Sequence, residues 1–129
     1  MERTIMVDGV GRLFKTSGLT PRIYRGICGR DLFRDIARLE TEWKPGESNA
    51  ELLLIYEDLA YTMAKQGNDA LPDDDERKQK PFPDTPDKWL DGIEVLSIYD
   101  VLPEIAKMWR EDNMTTAVSK KKTQAAGGR

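Results

Sequence analysis

Residues 52 to 64 carry the most restrictive signal in the chain: Leu52, Leu53, Tyr56, Leu59, Ala60, Met63 and Ala64 recur at the three- and four-residue spacing that puts side chains on one face of a helix. Ser48-Asn-Ala-Glu51 just before it matches a capping box, in which serine and glutamate each bond a free backbone amide. Glu51, Glu57 and Asp58 fall early, Lys65 falls late, and Gly67 is placed to end the helix. A helix whose apolar stripe is this long needs covering on that face, so the rest of the chain is expected to pack around it.

Other segments supply the cover. Arg3-Thr-Ile-Met-Val-Asp8 and Arg12-Leu-Phe-Lys-Thr16 read as two short strands, with Gly9-Val-Gly11 as the turn between them. A two-stranded hairpin is marginal alone, so it must pack on the helices or pair with another chain through an exposed edge. Thr20-Pro21 reads as an N-cap followed by proline in the first helical position. Ile23, Tyr24, Ile27 and Cys28 then share a face, Gly29 interrupts or bends the path, and Leu32, Phe33, Ile36 and Leu39 resume the spacing.

Trp43-Lys-Pro-Gly46 reads as a loop. Residues 68 to 84 contain three prolines and the acidic run Asp73-Asp-Asp-Glu76, and are expected to form an exposed linker. Thr85-Pro86 repeats the helix-start signal ahead of Trp89, Leu90, Ile93 and Leu96. Ser97 offers a new cap for Ile98, Val101, Leu102, Ile105, Met108 and Trp109, with Pro103 either bending that helix or lying in its first turn. The expected fold is mainly α: a single domain over residues 1 to 112, with four to five helices, a short N-terminal β-hairpin and a disordered C-terminal tail over 113 to 129.

Composition narrows the chemistry. The 129 residues contain no histidine and one cysteine, Cys28. The commonest general base, intrachain disulfides and cysteine-based zinc sites are thereby removed. Consecutive acids at 73 to 76 lack the alternation and the glycine of a calcium loop. Gly9-Val-Gly11 lacks the third glycine of a dinucleotide fingerprint. No nucleophile stands beside a base, so neither an enzyme nor a bound cofactor or metal is expected.

Asp31 with Arg34 and Asp35 with Arg38 have the spacing of surface pairs on a helix. Cys28, on an apolar face, reads as a small hydrophobe. Tyr24, Phe33, Tyr56, Trp89, Tyr99 and Trp109 are read as core-forming aromatics. Trp43 in its polar loop and Trp109 near the end of the last helix, with Tyr99 and Met108 on that same helix, are the candidate partner contacts.

Charge is uneven along the chain. Residues 1 to 45 carry nine Lys or Arg against six Asp or Glu, residues 46 to 112 seven against seventeen, and residues 113 to 129 four against none. An acidic middle repels nucleic-acid phosphates, which disfavours general binding to DNA or RNA. No apolar run approaches the roughly 20 residues that span a bilayer, and the start lacks the apolar region of a signal peptide, so a cytoplasmic protein is expected.

Pro21-Arg-Ile-Tyr-Arg-Gly-Ile-Cys-Gly-Arg-Asp-Leu-Phe-Arg-Asp-Ile, then Tyr56-Glu-Asp-Leu-Ala-Tyr-Thr-Met-Ala-Lys, then Thr85-Pro-Asp-Lys-Trp-Leu-Asp and Ile98-Tyr-Asp-Val-Leu-Pro-Glu-Ile, with Trp109 beyond, resembles in its order of segments the tail assembly chaperones of long-tailed phages and prophages of Gram-positive bacteria. The resemblance spans about residues 3 to 110. It implies a non-enzymatic, self-associating protein of the host cytoplasm, absent from the mature virion, that coats the tape measure protein and yields to tail tube subunits. In many such families a programmed frameshift produces a longer form that recruits the tube protein. Lysine codons are adenine-rich, so Lys120-Lys-Lys122 is the place where such a slip would be sought. The alternative is a phage accessory DNA-binding or regulatory protein using the basic N-terminal third, where Arg22, Arg25, Arg30, Arg34 and Arg38 fall.

Overall fold

The computed structural model describes residues 1–42, 44, 49–79 and 81–127, with side chains described as far as Asp112. The chain is mainly α, with five helices among the described residues and an N-terminal antiparallel hairpin. Strands β1 (Glu2–Val7) and β2 (Val10–Lys15) are followed by α1 (Thr20–Cys28), α2 (Leu32–Glu42), α3 (Ala50–Ala70), α4 (Pro86–Asp91) and α5 (Val95–Gly127). The expected disordered tail at 113 to 129 lies outside the residues whose side chains are described.

The hairpin forms where expected, but its turn sits earlier. Asp8 and Gly9 both have positive φ, 52° and 78°, the mirror-image geometry that matches strand twist in a two-residue turn. Gly11 is not in the turn; it lies in β2 opposite Met6. Ile5, Val7 and Phe14 are buried beneath the sheet, and the hairpin rests on α3 and α5.

The stripe of α3 is the centre of the fold. Of the expected residues Leu52, Leu59, Ala60, Met63 and Ala64 are buried, Leu53 and Tyr56 only partly; Ile55 is buried as well, and Val101, Leu102, Ile105 and Met108 of α5 join the core. Asn49 is the N-cap of α3, its side chain accepting from the amides of Glu51 and Leu52. Ser48, the expected cap, lies outside the described residues. Gly67 does not end the helix, which runs three residues further to Ala70. It is buried where α3 meets β2.

Thr20 likewise does not cap α1. That helix has Leu19 as N-cap with no side-chain bond, and the buried Thr20 hydroxyl instead donates to Gln66 of α3 at 2.5 Å. Gly29, at φ 76°, closes α1 and separates it from α2. Thr85 caps α4 as expected, accepting from the Lys88 amide. Ser97 lies inside α5 and donates to Asp8 instead of capping, while Pro103 sits within the helix beyond its first turn.

Residues 68 to 84 are not a uniformly exposed linker. Asn68, still in α3, is buried and brackets Gln79, accepting from its amide at 2.9 Å and donating to its carbonyl at 3.4 Å. Lys78 reaches the Leu71 carbonyl and Asp73, Arg12 reaches the Arg77 carbonyl, and Tyr61 reaches the Pro83 carbonyl. Leu71 is buried, whereas Pro72, Asp73, Asp74 and Glu76 do face solvent. Polar composition here is answered by specific bonds, which fold the segment back on α3.

Candidate functional site

Two features stand out: a polar cluster inside the helical layer and an apolar groove on its surface. The cluster is built around Arg30, which follows the left-handed Gly29. Its Nε donates to Asp35 at 2.8 Å and its Nη2 to Asp58 at 2.6 Å, and the same Nη2 lies 3.1 Å from the Tyr24 hydroxyl. Tyr24 in turn donates to Asp35 at 2.6 Å, and the guanidinium carbon lies 5.7 Å from the Tyr24 ring centroid. The carboxylates are almost wholly enclosed, while 35% of the Arg30 side chain remains in water.

Burial, reinforced by the bond to Asp35, holds the Tyr24 hydroxyl well above the usual tyrosine range. Burial works against the Arg30 cation, yet its bonds to Asp35, Asp58 and Tyr24 outweigh this and hold its proton more firmly than usual. Every member of the cluster is bonded to another, so it acts as a clamp joining α1, α2 and α3.

This clamp replaces the surface pairs expected from sequence. Asp35 is buried and turned to Arg30, not Arg38. Asp31 accepts from the amides of Phe33 and Arg34 at the start of α2, and Arg38 pairs with Glu42 and Glu51. One sequence signal was available: Asp58 sits between Ile55 and Leu59, in the buried register of α3, where a carboxylate needs a partner.

The groove runs between α3 and α5. Leu53, Tyr56, Tyr99, Leu102, Pro103, Ala106 and Arg110 line an open volume of about 390 Å³. Pro103 has no amide to give the Tyr99 carbonyl, so the helix loses one bond along this wall. Tyr99 is 67% exposed and Leu96 77% exposed, with Val95 similarly bare. A smaller cavity of about 160 Å³ lies under the hairpin turn, floored by Phe14 and Trp89, whose rings meet edge-on at 6.4 Å.

The four expected partner residues are not brought together. Trp43 lies outside the described residues. Tyr99 stands on the groove wall, Trp109 is half-buried against the main core, and Met108 is fully buried within it. The exposure of Tyr99, Phe33 and Leu96 corrects the expectation that these side chains build the core: helical spacing placed them on apolar faces, but no element among the described residues covers them. Cys28 does pack partly buried against the core. Among the described residues there is no group of His, Cys, Asp or Glu able to hold a metal, and no helix long and apolar enough to cross a membrane.

Fold and surface together define a small, mainly α protein with a β-hairpin, an internal ionic clamp and an apolar groove. No protein-family model, curated protein or solved structure matches the chain.

Proposed function

We propose that this chain is a non-enzymatic phage tail assembly chaperone that binds the tape measure protein and keeps it soluble during tail morphogenesis, acting as a self-associated protein in the host cytoplasm. The observation that carries the reading is the open apolar groove between α3 and α5, with Tyr99 on its wall and Leu96 and Val95 bare on the same helix. Such a groove suits one apolar face of a long helix, the kind of segment that must be covered before assembly. The order of segments along residues 3 to 110 supports the same reading. A longer frameshifted form, slipping at the codons of Lys120 to Lys122, would recruit the tail tube protein.

The DNA-binding alternative loses support at two of its five arginines, because Arg30 and Arg38 are each engaged by two carboxylates. Co-expression with the tape measure protein of the same phage or prophage decides between the readings. A soluble complex containing many copies of this chain, with the tape measure insoluble in its absence, supports the chaperone. An insoluble tape measure, together with DNA binding that weakens steeply as salt is added, overturns it.

A further inference from the structure

The two-stranded sheet has two outer edges, and they are treated differently. Residues flanking a two-residue turn exchange both their backbone hydrogen bonds, so Val7 bonds Val10 and the alternation passes through Ile5–Arg12 and Arg3–Phe14. It ends on Met1 and Thr16, whose amine and amide each meet the other's carbonyl at 2.8 Å. The intervening residues therefore turn their backbone groups outward: Gly11, Leu13 and Lys15 from β2, and Glu2, Thr4 and Met6 from β1.

Helix α3 closes the β2 edge, since Gly67 packs directly on the Leu13 carbonyl. Nothing among the described residues bonds the outward amides and carbonyls of Glu2, Thr4 and Met6. The three side chains are exposed as well, Met6 by 60%. Edges of this kind are commonly blunted by proline, an outward lysine or a bulge. β1 carries no proline, lysine or bulge, and its register with β2 is unbroken; its two charged residues are Glu2 on the outer face and Arg3 on the face of Ile5 and Val7, where it is tied to Glu111 of α5.

We propose that the outer edge of β1 is a self-pairing surface: two copies join β1 to β1, antiparallel about a twofold axis at Thr4, to make one four-stranded sheet. In that register Glu2 faces Met6, Arg3 faces Ile5 and Thr4 faces Thr4, so all outward groups are used and no like charges meet. Sliding by two residues in one direction sets Arg3 against Arg3; sliding the other way leaves the outward groups of Glu2 unused. Self-pairing also turns a marginal two-stranded sheet into four strands. A six-residue strand contact falls short of the roughly 1,000 Å² of a permanent interface, so the dimer forms reversibly with concentration. The edge is argued from the hairpin alone, but it supplies a surface for the self-association in the chaperone reading and rests on that reading to that extent; a monomeric chain that still solubilises the tape measure would refute the pairing and not the chaperone.

Sedimentation equilibrium of the full chain over a concentration series tests it. Wild type should pass reversibly from monomer to dimer. Thr4→Pro should remain monomeric, because the amide it removes points away from β2. Should Thr4→Pro fail to fold, Thr4→Lys and Thr4→Glu decide: each alone is monomeric, and mixing the two restores the dimer. A wild type that is monomeric throughout, or a dimer indifferent to Thr4→Lys, overturns the proposal.

Discussion

Gly67 of α3 and Leu13 of β2 meet backbone to backbone: a Cβ on Gly67 would stand 1.9 Å from the Leu13 carbonyl oxygen and 2.4 Å from its carbon. The hydrogen atom of glycine is what lets the central helix lie flat against the hairpin. Gly67→Ala would gain about 1 kcal/mol of helix propensity in a solvent-exposed helix. Here the neighbour is backbone and must move, and overpacking of this kind typically costs about 1–3 kcal/mol. A denaturant titration should therefore show a net loss of stability. A gain would mean that the helix and the strand are not in contact.

The ionic clamp makes a different demand. Removing Arg30 would leave Asp35 and Asp58 enclosed without the cation they share. Breaking a buried pair in this way costs about 3–5 kcal/mol, and the partial exposure of Arg30 places the expected loss for Arg30→Ala near the lower end. Adding Asp58→Asn to Arg30→Ala should recover part of that loss, because one uncompensated charge is then gone. Equal stability of the single and double variants would show that the carboxylates are not sensing one another.

The same clamp marks how far local spacing could lead. Leu59 and Met63 are fully buried on the face their periodicity indicates, and Thr85 caps α4, because such features depend only on near neighbours in sequence. Asp35 accepts from Tyr24 across the Gly29 break, and Arg30 reaches Asp58 28 residues away, distances at which the helical pairing rule has no purchase. For Tyr99, spacing gave the face but not the neighbour, and whether an apolar face is covered depends on where other elements go. Asn68 shows the reverse error: a polar stretch read as solvated is held by a side chain that satisfies both backbone groups of Gln79. The groove itself is composed of residues from α3 and α5 that are some 45 positions apart, so neither segment alone announces it.

Glu57 and Glu111 should respond to pH with opposite signs. Burial, with Asp58 and Asp87 nearby, raises the Glu57 carboxyl above its ordinary value, whereas the bond from Arg3 lowers that of Glu111. A raised value means the folded protein favours the proton, so this contribution is present below the unfolded value of about 4.3 and is lost as pH rises through the folded one. Glu57→Gln should accordingly raise the melting temperature at neutral pH and leave it nearly unchanged below about pH 4. Glu111→Gln should do the reverse, losing stability at neutral pH and little in acid. Thermal melts of both variants across that range provide the check, and parallel shifts at every pH would refute the assignment.

Tyr99 separates folding from partner binding because it stands mostly in solvent on the groove wall. Truncating an exposed side chain away from the core usually changes stability by no more than about 0.5 kcal/mol, so Tyr99→Ala should keep the wild-type denaturant midpoint. Aromatic side chains that fill a partner's surface are among the residues whose loss weakens an interface most, commonly by about 2 kcal/mol or more. If the groove receives the tape measure helix, Tyr99→Ala should leave the tape measure in the insoluble fraction on co-expression while the variant itself stays soluble and folded. Met108→Ala gives the contrasting case: its side chain is fully enclosed, so about 2–5 kcal/mol of stability should be lost whether or not a partner is present. A Tyr99→Ala variant that still solubilises the tape measure as wild type does would move the binding surface away from this groove.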